Sequence, residues 1–296
     1  MEYFQSIKEG EMTLKNGSQN KIRQNLHTHS IYDDGRDTID EMVLSAIDKG
    51  FTVLGFSGHS FNHPLDEGSM SESATEKYIQ DVKTAKEKYK DQIEIVLGIE
   101  QDSLSDINRE DYEYVIGSLH YLIKESQKVP VDYSEEKFEE ILNDLYQGDI
   151  EAMILDYCDQ FEQMIEKGSF EILGHIDLIT KYNENEKYFS FDHPMYLQKM
   201  KSLIQKAADK GIVFEMNSGA ISRGYRTEAY PAQNLLKMIR QANGKLCINT
   251  DCHNRDHLDC NIAKCIERAK EAGFTELMHW NSETGKLVSE DIDLFY

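Results

Sequence analysis

Two histidines separated by one residue lie in the stretch of the chain that is best suited to metal chemistry. His27 and His29 belong to a segment that reads as a strand, and alternate side chains of a strand share one face. Two neighbouring imidazoles are good ligands for a borderline metal ion. Asp34 follows in a turn before Gly35 and can add a carboxylate. The short His-x-His pattern by itself leaves two surface histidines as the alternative.

Residues of the same kind recur where later predicted strands end, and six of the ten histidines lie at such places. The candidate ligands are His27, His29, Asp34, His59, Glu100, His120, His175, Asp251 and His253. Imidazole and carboxylate ligands without thiolates suit Zn, Mn or Fe. Because nine groups exceed the four ligands of one tetrahedral ion, the sequence predicts two to three divalent metal ions. Such clusters commonly activate a water for displacement at phosphorus.

The elements that must position these ligands alternate between strand and helix. Seven largely apolar segments, such as residues 51–56, are separated by helical patterns, and this order indicates parallel strands with crossover helices. An open doubly wound sheet would spread the polar strand ends along a line, whereas a barrel brings them to one face. The sequence therefore predicts an α/β fold, a distorted seven-stranded (β/α)7 TIM-like barrel. We expect a single domain over residues 1–296, with residues 1–22 as a loose tail or cap.

Composition limits the classes of partner. The chain has 296 residues and 40% hydrophobic residues, which can bury a substantial core. Its 54 acids and 32 bases give a net charge of -22, which disfavours binding to nucleic acid or an anionic membrane. The five cysteines form no C-x-x-C pair, and neither a signal-peptide pattern nor a membrane-spanning apolar run is present. We expect a cytoplasmic protein with a small-molecule partner.

Several short motifs between residues 25 and 253 carry a family resemblance. They are His27-Thr28-His29, Asp34-Gly35, Gly58-His59, Gly98-Ile99-Glu100, Gly117-Ser118-Leu119-His120, Gly174-His175-Ile176-Asp177 and Thr250-Asp251-Cys252-His253. In this order they resemble the polymerase and histidinol phosphatase (PHP) family. The segment Glu215-Met216-Asn217-Ser218-Gly219, with Arg223 and Tyr230-Pro231 after it, is most similar to the monofunctional histidinol-phosphatases of that family.

The resemblance implies a trinuclear site. The first metal would be held by His27, His29, Glu100 and Asp251, the second by Glu100, His120 and His175, and the third by Asp34, His59 and His253. Asp33 is adjacent to Asp34 and is the alternative carboxylate, but the Asp-Gly pair favours Asp34.

Five further residues are candidates for roles around the metals. Arg223 and Arg226 follow the sixth predicted strand and can make bidentate contacts to phosphate oxygens, although both also suit an ordinary surface. Asp177 is a possible acid or a hydrogen-bond acceptor for a ligand histidine. His63 and Tyr230 are possible substrate contacts.

The residues themselves predict a metal-dependent phosphoesterase that uses an activated water. The resemblance implies more: a phosphomonoesterase that hydrolyses L-histidinol phosphate to L-histidinol and phosphate in histidine biosynthesis. The alternatives are a PHP phosphoesterase acting on another small phosphate ester and an amidohydrolase-like hydrolase, which also begins with His-x-His. A non-catalytic metal-binding protein is disfavoured, because structural sites are normally closed by four ligands.

Overall fold

The strands of the computed structural model, which describes residues 21–61 and 68–296, form one barrel and two hairpins. In chain order they are β1 (Gln24–Asn25), β2 (Val53–Phe56), β3 (Glu94–Asp102), β4 (Tyr114–Ser118), β5 (Tyr121–Lys124), β6 (Gln127–Pro130), β7 (Ile172–Leu173), β8 (Val213–Asn217), β9 (Lys245–Asn249), β10 (Glu276–Asn281) and β11 (Lys286–Asp291). The order β1-β2-β3-β4-β7-β8-β9, parallel throughout, confirms the predicted seven-stranded barrel.

Helices cover the outside of the barrel. They are α1 (Ile39–Asp48), α2 (Glu72–Tyr89), α3 (Glu135–Tyr146), α4 (Ile150–Lys167), α5 (Pro194–Asp209), α6 (Gly219–Ser222), α7 (Gln233–Gln241) and α8 (Ile262–Glu271). Helix α1 begins with a capping box, in which the Thr38 hydroxyl accepts from the Glu41 backbone and the Glu41 carboxylate accepts from the Thr38 backbone. The described residues include no helix with the length and apolarity needed to cross a membrane.

The barrel closes between its first and last strands through irregular contacts. Thr28 and Cys252 form an isolated parallel bridge beyond the ends of β1 and β9. The Asn249 side chain accepts from the backbone of Leu26 at 2.9 Å, and the Asn25 side chain donates to the Leu258 carbonyl at 3.2 Å. Asparagine side chains thus replace a regular ladder between β1 and β9, and backbone bonds of His27 and His29 to Cys252 hold the residues that follow β1.

Two apolar layers hold the strands in place. Inside the barrel, Leu26, Val96, Tyr114 and Ile116 pack with neighbours from the other strands, and Trp280 closes this cluster from β10. A larger layer lies between the strands and the helices. Both faces of each barrel strand are therefore buried, which explains the nearly continuous apolar segments in the sequence.

The structure departs from the predicted elements in three places. Between β3 and β4 the crossover has only a short 3-10 turn, Arg109–Asp111, in place of an α-helix. The hairpin β5–β6 follows β4 directly and was not predicted. The sequence also predicts a short final strand over about residues 275–280; this segment is β10, which pairs antiparallel with β11 outside the barrel.

Candidate metal centre

Glu100, near the end of β3, lies at the centre of a cluster of imidazoles. Its Oε2 atom is 3.2 Å from His27 Nε2 and 3.0 Å from His59 Nδ1. Its Oε1 atom is 3.0 Å from His175 Nε2 and 3.4 Å from His120 Nε2. One buried carboxylate thus faces histidines from four different parts of the chain, which is the arrangement expected of a bridging ligand.

Asp251 and Asp34 extend the cluster on the side of His29 and His253. Asp251 Oδ1 is 3.1 Å from His29 Nε2, and Asp34 Oδ1 is 3.1 Å from His253 Nε2. Ligand atoms within 4.8 Å of one another form three groups: His29, Asp34, His59 and His253; His27, His29 and Asp251; His59, Glu100 and His120. The structure therefore brings all nine predicted ligands together. His29 and His59 each belong to two of these groups.

Glu215 fixes the orientation of His27 from inside the barrel. Its Oε1 atom is 2.7 Å from His27 Nδ1 and accepts from the Asn249 amide at 2.9 Å. Its Oε2 atom accepts from the Asn217 amide at 2.9 Å and from the His175 backbone at 3.1 Å. With Nδ1 donating to Glu215, the Nε2 atom of His27 is the free ligand atom that faces Glu100.

Two aspartates orient further histidines in the same way. Asp33 Oδ2 is 2.6 Å from His29 Nδ1, and Asp102 Oδ2 is 3.3 Å from His120 Nδ1. Asp33 is thus hydrogen-bonded to His29, while the Asp34 carboxylate lies near the imidazoles of His253 and His59. This geometry favours Asp34 over Asp33 as the metal ligand. In both histidines Nε2 remains directed to the centre.

Three buried atoms at the centre fit a cation. His27 Nε2, His29 Nε2 and Glu100 Oε2 are buried and have no hydrogen-bond partner among the described residues. The two nitrogens lie 3.2 and 3.7 Å from the Glu100 oxygen. Buried polar atoms are normally paired, and a divalent ion between these three would satisfy all of them. The residues present therefore fit a metal site.

The carboxylates of the cluster also need positive charge nearby to compensate them. Its buried or half-buried acids are Asp33, Glu100, Asp102, Glu215 and Asp251, and Asp34 is 40% exposed at its edge. Burial raises the pKa of Glu100, but the His27, His120 and His59 imidazoles outweigh burial and hold that pKa well below its usual value. Burial lowers the pKa of His27, yet Glu215, Glu100 and other acids raise it well above its usual value. Either protons or divalent ions must compensate these carboxylates.

Arg223 is bound to Asp251 and His253 at the edge of the cluster. Its Nη2 atom donates to Asp251 Oδ2 at 2.9 Å, and its Nη1 atom is 2.8 Å from His253 Nδ1. Gly219 makes this contact possible, because a Cβ atom there would lie 2.7 Å from Asp251 Oδ2. Asp251 itself has a φ of 48°, in the left-handed region that costs energy for a residue other than glycine.

The other predicted site residues lie farther from the cluster. Arg226 is buried, donates to the Thr180 carbonyl at 3.1 Å and stacks over the Tyr230 ring, so it does not line the pocket above the metals. Tyr230 is buried with its ring 6.3 Å from that of His175. The Asp177 carboxylate accepts from the Ala232 backbone at 2.9 Å and orients no ligand histidine through a described hydrogen bond. His63 lies outside the described residues.

A pocket of about 330 Å³ opens above the cluster. Besides the metal ligands, its wall contains Asp132, Lys181, Tyr133 and Tyr225. The Lys181 ammonium donates to the Asp132 carbonyl at 2.6 Å and lies 3.3 Å from the Asp132 carboxylate. Burial raises the pKa of Asp132, but Lys181 and two histidines outweigh burial and lower it. This carboxylate is therefore ionised at neutral pH.

Sequence reasoning missed the roles of Glu215, Asp102 and Asp132. Glu215 had a signal, because an acid inside an otherwise apolar strand must have a buried partner. Asp102 had a weaker signal, since residues two apart on a strand share a face and Asp102 is two residues after Glu100. Asp132 follows the unpredicted hairpin β5–β6, and no local pattern indicated that it lies beside the site.

Comparisons with known proteins agree with this arrangement. A family model described as PHP domain matches residues 25–219. The histidinol-phosphatase of Bacillus subtilis is 25% identical over 265 residues, which span 82% of this chain and 97% of that protein. The histidinol-phosphatase of Lactococcus lactis is 24% identical over 265 residues, spanning 85% of this chain and 91% of that protein.

A solved structure shares the fold. The histidinol phosphate phosphatase of Lactococcus lactis, complexed with zinc, L-histidinol and phosphate, superposes with a TM-score of 0.69 at 20% identity. The match covers 91% of this chain and 99% of that one. Because the family model matches well over half of the chain and its range contains seven of the nine candidate ligands, the chain belongs to the PHP domain family.

Proposed function

We propose that this protein is a metal-dependent phosphomonoesterase that hydrolyses L-histidinol phosphate to L-histidinol and phosphate. The observation that carries the proposal is the position of Glu100, which faces His27, His59, His120 and His175 at the base of a pocket. A shared carboxylate among so many imidazoles suits two or three divalent ions. The names of the curated relatives, and the zinc, histidinol and phosphate in the related structure, support the choice of substrate and metal.

The nine clustered side chains would hold the metals. When bound, divalent ions activate water as a nucleophile at neutral pH and neutralise the charge of a phosphate group. The carboxylates of three acids keep the Nε2 atoms of three histidines directed to the centre of the cluster. The pairs are Glu215 with His27, Asp33 with His29, and Asp102 with His120. The buried position of Glu100 excludes bulk water from the base of the pocket.

Arg223 is placed to exchange its partners when metal and substrate bind. If His253 ligates through Nε2, its Nδ1 carries the proton and donates to the Asp251 carbonyl, which is 3.0 Å away. The same Nδ1 cannot then accept from the Arg223 guanidinium. Arg223 lines the pocket, so the donor released from His253 can bind a phosphate oxygen instead.

The part of the pocket around Asp132 supports an organic group that carries positive charge. The Asp132 side chain is 25% exposed, and the two tyrosines beside it, Tyr133 and Tyr225, are 58% and 41% exposed. Lys181 already lies 3.3 Å from this carboxylate and 4.7 Å from the Tyr225 ring, so an ammonium or imidazolium group of a substrate would share Asp132 with Lys181. L-histidinol phosphate carries such groups at one end and a phosphate at the other, which suits a pocket that contains both a cluster of candidate metal ligands and Asp132.

Phosphate release from a panel of esters tests the proposal. The metal-loaded protein should hydrolyse L-histidinol phosphate with a higher kcat/KM than p-nitrophenyl phosphate, a sugar phosphate or phosphotyrosine. A higher kcat/KM for another ester of the panel would favour the alternative of a PHP phosphoesterase with another substrate. Turnover of a lactone or amide without any phosphate release would instead favour the amidohydrolase-like alternative.

Asp132→Asn separates substrate selection from chemistry. The amide keeps the size of the side chain and removes its charge, so KM for L-histidinol phosphate should rise about tenfold while that for p-nitrophenyl phosphate changes little. Equal effects on both esters would show that Asp132 supports the fold of the pocket and does not select the substrate.

A further inference from the structure

A second cavity, of about 480 Å³, lies at the opposite end of the barrel from the metal cluster. It is lined by the first residues of β8 and β9, by the C-terminal ends of α4 and α5, and by the β10–β11 hairpin. The metal ligands lie at the carboxyl ends of the strands, whereas this cavity lies at the amino ends. We call it the basal cavity. Its size is within the range of small-molecule sites.

Basic side chains predominate in the wall of the basal cavity. They are Arg109, Lys210, Lys245 and Lys286, against the acids Glu113 and Glu171. This excess is notable in a chain with 54 acids and 32 bases, where a surface lysine would usually meet a carboxylate.

Both acids of the basal cavity already have partners. Glu171 pairs with Arg109 at 2.6 Å and accepts from the Val115 backbone at 2.8 Å. Glu113 pairs with Lys86 at 2.7 Å. The positive charges of the three lysines are therefore not cancelled by the acids of the same cavity.

The lysines themselves have no carboxylate partner. Across residues 21–61 and 68–296, no carboxylate oxygen forms an ion pair with Lys210, Lys245 or Lys286. Lys210 donates to the Glu166 carbonyl at 2.8 Å, and the other two are exposed. Three ammonium groups thus line one cavity without a carboxylate partner, and an anion bound there would meet favourable charge.

The floor of the basal cavity is apolar. Phe170, Met278, Trp280 and Leu287 line it together with Ile212. Phe170, Ile212, Met278 and Trp280 keep only 4–8% of their surfaces exposed, and a single flat ring would cover this small apolar area, whereas a bare inorganic anion would not. The ligand that suits both parts has an aromatic body and a negatively charged end.

We propose that the basal cavity binds a small aromatic anion, with the lysines on its phosphate or carboxylate and the apolar floor beneath its ring. This site is separate from the metal centre, and it does not depend on the proposed phosphatase activity. The phosphate could belong to a nucleotide and the carboxylate to an aromatic acid, and the two sources are distinguished below.

The only tryptophan of the chain provides a direct readout, because Trp280 lies in the wall of the cavity. The full-length, metal-loaded protein is titrated with AMP, adenosine, phenylacetate and inorganic phosphate. Tryptophan emission is recorded before measurable phosphate release, and calorimetry is run in parallel. We expect saturable binding of AMP or phenylacetate. Binding of AMP alone identifies a phosphate ligand, and binding of phenylacetate alone identifies a carboxylate ligand.

The test variant carries two substitutions, Lys245→Gln and Lys286→Gln. The control is Lys83→Gln, which replaces an exposed lysine on α2. Loss of two charge-assisted contacts should weaken binding by at least about tenfold, and the control should bind normally. The single lysine variants give the same test if the double variant does not fold. The proposal is overturned if neither anion saturates up to about 10 mM, if adenosine binds as well as AMP, or if the variants bind unchanged.

Discussion

The two ends of strand β3 show how differently the same barrel treats a glutamate. Glu94 begins the strand, is partly exposed and lies 3.5 Å from the Lys86 ammonium. Glu100, six residues later, is buried and faces four imidazoles. An exposed ion pair is screened by water and contributes little. A buried carboxylate needs compensation from every group around it, so its replacement should disturb the whole site.

The two ends of the barrel differ in the same way, in how far their charged side chains are buried. At the carboxyl ends of the strands, four acids are buried, and each lies close to an imidazole: Glu100, Asp102, Glu215 and Asp251. At the amino ends, charged side chains are mostly exposed. Because a net charge of -22 is spread over the whole chain, the feature that marks the functional end is burial of charge and not its sign. Four predictions test this contrast.

Glu100→Gln should have the largest effect. The amide has the same size but carries no charge and offers one poor ligand atom in place of a carboxylate oxygen. Activity should fall by more than the roughly 10- to 100-fold that is typical of residues that only orient ligands. Metal content measured on the same sample should also fall. Full metal content with near-normal activity would contradict the bridging role of Glu100.

Removal of the metals should destabilise the protein in a pH-dependent manner. Without metals, burial lowers the pKa of His29, but Asp33 and Asp251 outweigh burial and raise it from 6.5 to about 10. A protonated His29 then stabilises the fold below pH 6.5, and this contribution is lost as the pH rises through about 10. Tm of the metal-free protein should therefore fall between these pH values.

Metal-loaded protein is the control for that measurement. Its His29 would ligate in the neutral form, so the same pH interval should change its Tm much less. Equal pH profiles for the two samples would show that the imidazole cluster does not hold the ions.

Glu215→Gln should have an intermediate effect. Glu215 does not line the pocket, but it accepts from His27 Nδ1 and from the His175 backbone. A glutamine can present its amide nitrogen to Nδ1 and favour the wrong tautomer. We expect a roughly 10- to 100-fold loss of kcat/KM. Added metal should restore part of the activity, which would separate weakened metal binding from a loss of folding; no response to metal would contradict the orienting role.

The contrast along β3 also explains which features could be predicted from the sequence. The barrel and its nine candidate ligands were predictable, because apolar strands with polar ends repeat along the chain. The roles of Arg226 and Asp177 were not. Asp177 is two residues after His175 and Arg226 is three residues after Arg223, yet the Arg226 side chain donates to Thr180 and that of Asp177 accepts from Ala232. Side-chain direction after a strand depends on packing with distant segments, and no local pattern encodes it. Asp132 was missed for the same reason.

Glu94→Gln should have the smallest effect and is the matched control for Glu100→Gln, since both change one glutamate of β3 to its amide. The Glu94 carboxylate is partly exposed, and Lys86 keeps a second partner, Glu113, at 2.7 Å. Its loss should change the free energy of unfolding by no more than about 1 kcal/mol and leave kcat/KM unchanged. Chemical denaturation and phosphate release measure the two quantities. A large loss of activity in Glu94→Gln would show that loss of a charge at either end of β3 impairs the site. The effect of Glu100→Gln could then not be attributed to the position of Glu100 at the carboxyl end of the strand.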